Sequence, residues 1–380
     1  MDYSSLYDKR VKMVRNLMAG KDNEYVPTVS MVQTWAMAYA GTDCHDALSS
    51  REREFEVWGK YLRELDYDTT LLFAMNRPLD LYMSLGYSPF FFSDDGVTLQ
   101  NKDNCAIPLE ELDEYIADPI RYLRNKVIYR RYPAFRENPV GAVLKSIPKM
   151  LDFKGKNDAI PKYLRKNVGA PVLVNSNDLM EPALDRYVGW RSFAEGMIDL
   201  RRRPDKVEAA LEATYEQITK PADGKRKDFP MAFAPVVSAT YLGQKAYERF
   251  FWPWFKKMCD AIINSGGKVM VALEGTWGKG KYEFFNEFPQ GAIMAFLEGD
   301  DLLEAKRIIG DNCVLCGGLS DSLVREGTPE ENVEAVRKVI DRCGTKGIMI
   351  SSAKCLLSPN DARAENLRAV NEFIRLYTAQ

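Results

Sequence analysis

Two cysteines and two glutamates in the second half of the chain have side chains suited to holding a metal ion or moving a proton. Cys316 lies in CVLCGGLSDSL and Cys355 in SSAKCLL; Glu274 lies in VALEGTW and Glu298 in FLEGDD. Thiolates and a carboxylate together bind Zn2+ and can leave a fourth position open for a substrate atom. The four are far apart in sequence, and none belongs to a compact metal motif of the CxxC…CxxC kind. Cys313 and Cys316 do have CxxC spacing, but on an extended strand a separation of three points two thiols to opposite faces. The competing reading of Cys316 is a small buried apolar residue, the common role of a free cysteine. The only histidine is His45, in the polar stretch GTDCHDALSS. That excludes a site needing two imidazoles from one chain, and any histidine-based triad would depend on this residue alone.

These residues act together only if the fold gathers them. Eight apolar runs closed by turn residues read as buried strands: 25–32 (YVPTVSMV), 69–75 (TTLLFAM), 170–175 (APVLVN), 231–239 (MAFAPVVSA), 268–273 (KVMVAL), 291–297 (GAIMAFL), 313–317 (CVLCG) and 347–353 (GIMISSA). Most lack clean alternation, as strands covered on both faces of a parallel sheet do. Helical patterns lie between them. The stretch 204–219 (PDKVEAALEATYEQIT) is amphipathic, and Thr328-Pro329-Glu330-Glu331 is a capping box with proline at the first helical position. Ser358-Pro359-Asn360-Asp361 opens the last helix in a similar way. Strands alternating with helices predict a (β/α)8 TIM barrel, one domain over 1–380 with an N-terminal helical extension. A doubly wound open sheet is the alternative. Residues 76–169 read as a long insertion after strand two, with a hairpin at GYSPFFFSDDG and a helix at NKDNCAIPLEELDEYIAD, covering one barrel end.

In such a barrel the chemistry stands at the carboxyl ends of the strands. Strands five and six run into Glu274 and Glu298, strand seven carries Cys316 and strand eight runs into Cys355, so the four fall on neighbouring strands. The same end receives Gln33, Trp35, Phe73, Met75, Asn76, Asn175, Asn177, Asp178, Ser238 and Tyr241. The aromatic run PFFF at 89–92 reads as packing or as part of an aromatic pocket. GKGK at 278–281 lacks the spacing and the Ser/Thr of a phosphate-binding loop.

Composition narrows the function classes. The chain has 380 residues, 46% hydrophobic and 28% charged, with a net charge of −2. That balance argues against a nucleic-acid protein relying on a basic surface. No apolar run is long enough to span a bilayer, and the N-terminus carries no signal-peptide core. Seven cysteines in a chain this long do not make a disulfide framework, so reduced thiols and a cytoplasmic location are expected.

Three stretches carry a family resemblance over nearly the whole chain: DYSSLYDKRVKMVRNLMAGKDNEYVPTV, GWRSFAEGMIDLRRRPDKVEAAL, and the segment from LEAKRIIGDNCVLCGGLSDSLVREGTPEE to AENLRAVNEF. They resemble the uroporphyrinogen decarboxylase superfamily, which implies the (β/α)8 barrel. Its decarboxylases use an arginine-rich N-terminal segment, a barrel aspartate and a histidine near the last strand. Here the segment after Val26-Pro27 is TVSMVQTWAMAYAG, without arginine, and Ser351, Ser352 and Lys354 stand where the histidine would be sought. A decarboxylase-like enzyme acting on another carboxylated substrate is therefore the second expectation. The first is the corrinoid-dependent methyltransferase branch. Its thiol-methylating members have His-x-Cys after strand five and Cys after strand eight; here Glu274 falls at the first cysteine and Cys355 matches the last.

This departure resembles the methyltransferase components of O-demethylases. It implies Zn2+ on Glu274, Cys316 and Cys355, with Glu298 in reserve and Glu287 a further carboxylate. The implied partners are a corrinoid protein carrying cobalamin and a small methoxylated, aromatic substrate; a homodimer is allowed for. Glu298 and Tyr241 would handle a proton, and Trp35, Phe73, Met75, Asn175 and Tyr241 would line the pocket.

Overall fold

A computed structural model describes residues 2–71, 77–174, 178–218 and 228–379. Its centre is a five-stranded parallel sheet in the order β5 (Met231–Val236), β6 (Lys268–Leu273), β7 (Ile293–Leu297), β8 (Val314–Leu319) and β9 (Ile348–Ser352). Each corresponds to an apolar run in the sequence. Beside it β1 (Val29–Ser30) pairs in parallel with β2 (Thr69–Thr70). Single parallel bridges extend both edges: Thr28 to Ile350 and Val32 to Leu356 join β1 to the β9 side, Thr70 meets Val172, and Leu179 meets Phe233 of β5. Continuous ladders do not close into a ring among the described residues. The expected strand at 170–175 is reduced to that one bridge, where Pro171 has no N–H to give and only its carbonyl accepts, from Thr70 N–H. Asn175 lies outside the described residues.

Both faces of the sheet are buried, which explains the missing alternation. One face sends Ala232, Ala234, Val269, Val271, Ile293, Ala295, Leu315 and Ile348 into a cluster shared with the surrounding helices. The other sends Met231, Phe233, Met270, Met294, Phe296, Val314, Cys316 and Met349 into a second cluster. Cys313 joins the first and Cys316 the second, as their odd separation requires.

The second cluster is completed by α1 (Tyr3–Met18), capped by Asp2, whose carboxylate accepts from the Ser4 and Ser5 N–H groups. Tyr7, Val11, Val14 and Met18 recur at three- and four-residue steps and form the stripe that α1 buries. The helix docks at the amino ends of the strands. The Tyr7 hydroxyl donates to the Asp228 carboxylate at 2.8 Å, and Arg15 donates to the Asp228 carbonyl at 3.0 Å.

The insertion does contain the expected hairpin: β3 (Phe90–Phe92) pairs antiparallel with β4 (Leu99–Asn101). The remainder of the insertion is more helical than its polar sequence suggested, ending in a helix at Pro139–Asn167. Ion pairs tie that helix to the rest of the chain, Arg51 to Asp152 at 3.0 Å and Arg165 to Asp8 at 2.6 Å. The capping box at Thr328 forms as read. The last helix, however, starts at Ala364 rather than near Ser358, because the Asp361 carboxylate accepts from Leu357 and Ser358 N–H (2.6 and 2.9 Å) and closes a turn first. No helix among the described residues is long and apolar enough to cross a membrane.

Candidate active site at the carboxyl ends of the strands

The loops leaving β5, β6 and β7 are stitched into one rim. The Glu274 N–H donates to the Val236 carbonyl at 3.1 Å, and Glu298 Oε2 accepts from Gly275 N–H at 2.5 Å. Gly275 has φ +73°, and a Cβ there would stand 2.7 Å from Thr240 Oγ1, so only glycine fits the turn. Asp300 accepts from the Trp277 N–H (2.7 Å) and the Tyr282 hydroxyl (2.6 Å), and Thr240 donates to the Thr276 carbonyl at 2.8 Å. The sequence LEGTWG thus fits against LEGDD, holding Glu274 and Glu298 side by side.

Burial pushes the Glu274 carboxyl up to about 7, and the charges of Glu298 and Asp185 push the same way, against Arg77. Asp185 Oδ1 accepts from Val237 and Ser238 N–H at 2.8 and 2.9 Å. Burial outweighs those bonds and raises its carboxyl to about 6. Cys355 packs against the edge of the second cluster. Burial pushes its thiol up to about 12; Gln33 opposes that, Glu274 and Glu298 add to it, and Arg77 opposes it. Arg77 comes from the insertion. Its guanidinium sits over the Phe90 ring, 4.2 Å from the centroid, and burial pulls it down to about 10, so it keeps its charge at neutral pH. Glu274, Glu298, Asp185, Cys355, Gln33 and Arg77 are therefore electrostatic neighbours.

Cys316 stands apart from them. The register aligns it with Phe296 on one side and Met349 on the other, so it lies one inward-facing layer below Glu298, about 7 Å along the strand. It is fully buried, and burial alone raises its thiol. Among the described residues no three His, Cys, Asp or Glu side chains are grouped closely enough to hold a metal ion. The structure thus brings Glu274 and Cys355 into one neighbourhood with Glu298, and leaves Cys316 in the packed layer beneath.

The remaining expected residues divide. Tyr241 is on the rim, 63% exposed, with its ring edge-on to Phe193 at 4.9 Å. Trp35, expected in the pocket, is buried: its indole N–H donates to the Ala362 carbonyl at 3.1 Å and its ring stacks on Tyr39 within the first cluster. Phe73, Met75, Asn76, Asn175 and Asn177 lie outside the described residues. Sequence reading missed Arg77 and Asp185. The only signal for Arg77 was its position two residues past an apolar run; Asp185, on the helix Ala183–Arg191, had none.

The uroporphyrinogen decarboxylase (URO-D) family matches residues 188–377, half of the chain. This chain belongs to that family. Among solved structures it is similar to a methyltransferase from Methanosarcina mazei, with TM-score 0.60 and 13% identity, covering 97% of this chain and 98% of that one. At such identity the likeness speaks for the fold. No curated protein matches the chain in sequence. Where the histidine of the family's decarboxylases would be sought, Ser351 is buried and Ser352 donates to the Lys354 carbonyl at 2.9 Å.

Proposed function

We propose that this chain is a methyltransferase of the family's corrinoid-dependent branch, moving a methyl group from a methoxylated aromatic compound to the cobalt of a corrinoid protein, as in O-demethylation. In this reading the ladders and single bridges are the eight strands of a (β/α)8 barrel, α1 closes its amino end, and the insertion covers its mouth. The observation that carries the reading is a half-buried carboxylic acid near neutrality, Glu274, in the electrostatic neighbourhood of a half-buried thiol, Cys355, at the carboxyl ends of the strands. The resemblance of the overall fold to a methyltransferase supports the same direction.

These two donors fit Zn2+: burial favours the protonated form of each, and a dication is what would release the protons. Glu274, Cys355 and Cys316 would hold it, Cys316 by leaving its packed layer, with Glu298 in reserve. Bound there, the ion supplies a Lewis acid to the ether oxygen. Phenolate is a reluctant leaving group. When the methyl–oxygen bond breaks, its electron pair stays on the oxygen and a proton must reach it. Glu298, one of whose oxygens is fixed by Gly275 N–H, and Tyr241, on the rim, are assigned that proton. Phe90 and Tyr82, 6.1 Å apart, offer an aromatic wall. Phe73, Met75 and Asn175 keep the pocket role assigned from the sequence.

The test is a screen of methoxyarenes with a reduced corrinoid protein as acceptor, read by the absorbance change on cobalt methylation, together with metal analysis of protein prepared without chelators. Methylation, bound zinc, and loss of both in Cys355→Ala are expected. Turnover of a porphyrinogen with no methyl transfer would overturn the reading. Metal-free protein in which Cys316→Ala and Cys355→Ala demethylate normally would remove the zinc.

A further inference from the structure

Among the described residues, the buried and half-buried arginines have carboxylate partners, with two exceptions. Arg10 bonds Asp66 and Asp68, Arg191 bonds Asp199 at 2.9 Å, and Arg375 bonds Asp68. Arg77 and Arg131 have no ion-pair partner among the described residues. Arg77 has its guanidinium over the Phe90 ring and lies near enough to Cys355 and Glu274 for their charges to act on it. Arg131 ends the short helix Ile128–Arg131, and its Nε is buried with no hydrogen-bond partner. Both arginines act on the same side chain, Tyr82, which stacks on Tyr132 at 6.5 Å and stands next to Phe90. Glu181 also acts on Tyr82, but it is paired with Arg186 at 3.4 Å.

An arginine stacked on an aromatic face is fixed in orientation, with its N–H edge left to bind in plane. A carboxylate matches that edge with two parallel charge-assisted hydrogen bonds. A benzene ring bearing the carboxylate would then lie among Tyr82, Phe90 and Tyr132. We infer that Arg77, with Arg131 behind it, anchors a carboxylate carried by the aromatic methyl donor. The inference rests on reading this mouth as the donor site. It deepens that reading by giving the substrate class: methoxylated aromatic acids rather than uncharged methoxyarenes.

The test uses binding, which needs neither a methyl group nor a corrinoid protein. Calorimetric titration of the full chain with 4-hydroxybenzoate and with 4-hydroxybenzamide compares two demethylated analogues that differ in charge. The wild type is expected to prefer the carboxylate by about 10- to 100-fold. Arg77→Met removes the preference and still binds the amide, which shows that the pocket is folded; Arg77→Lys keeps part of it, and Arg131→Met lowers it less than Arg77→Met. Equal affinities in the wild type, binding of neither probe, or a preference that survives Arg77→Met would each overturn the inference. Should the methyl-transfer screen fail while Arg77→Met still abolishes the preference, the anchor stands and the assigned reaction falls.

Discussion

The two ends of the parallel strands use the same residue types in opposite ways. At the amino end, Asp68 accepts from Arg10, Arg375, the Tyr25 hydroxyl and the Thr28 N–H, all within 3.1 Å. Asp66 pairs with the same two arginines. At the carboxyl end, the charges of Glu298, Asp185 and Arg77 all act on Glu274, yet none of the four forms an ion pair among the described residues. A closed network of this kind holds a fold together; charges buried close by and left apart mark a place where a ligand completes the arrangement.

The largest expected effect comes from breaking the closed end. Asp68→Ala leaves two arginines, one of them almost fully buried, with Asp66 as their only carboxylate and strips the Tyr25 hydroxyl and Thr28 N–H of their acceptor, and should cost about 3–5 kcal/mol, read from the shift in urea midpoint. Arg77→Met removes a charge that has no ion-pair partner among the described residues and should shift the midpoint far less. Equal losses from the two substitutions would erase the distinction between the ends.

The open end should instead reveal itself through pH. The Asp185 carboxyl is raised from 3.8 to about 6, so between those values the folded chain keeps a proton that the unfolded chain releases. Stability contributed at this site therefore falls as pH rises through that window, and the full penalty remains above it. Asp185→Asn keeps an acceptor for Val237 and Ser238 N–H and cannot ionise. It should flatten this part of the profile and gain about 2–3 kcal/mol at pH 8, measured by denaturant unfolding without metal. A profile unchanged by the substitution would mean that Asp185 is solvated normally.

How much of the molecule is legible in the sequence depends on the range of the forces involved. Strands β5 to β9 were legible because each is an apolar run that must be covered on both faces, and the Thr328 cap because its residues are three apart. Glu274, Glu298 and Cys355 were legible as strand ends. Arg77 was not, since its place over Phe90 depends on a hairpin folding back from the insertion. The rim tie through Asp300 was equally hidden, because Asp300 meets Trp277 and Tyr282 only after two loops are side by side. Trp35 reads as a pocket residue by strand position, but the chain has already turned into the helix Trp35–Ala40, which carries the ring into the outer layer.

Cys316 gives the smallest expected effect and divides the two ends most sharply. The alternation of its strand fixed the face, but only the register with β7 and β9 fixes the depth, level with Phe296 and Met349. A thiol held there by packing alone behaves as a small apolar group. Cys316→Ala should then cost about 1 kcal/mol, as a small core truncation does, at every pH and with or without zinc in the buffer. If instead Cys316 rises to join Glu274 and Cys355 on a metal, the same substitution should lower zinc content. Its cost should then grow when zinc is supplied, because a ligand that binds only the folded state adds its binding energy to stability. Measuring the urea midpoint of wild type and Cys316→Ala, each with zinc and with chelator, separates these outcomes. A difference between the two proteins that is the same in both buffers leaves Cys316 in the core and the metal to Glu274, Cys355 and Glu298.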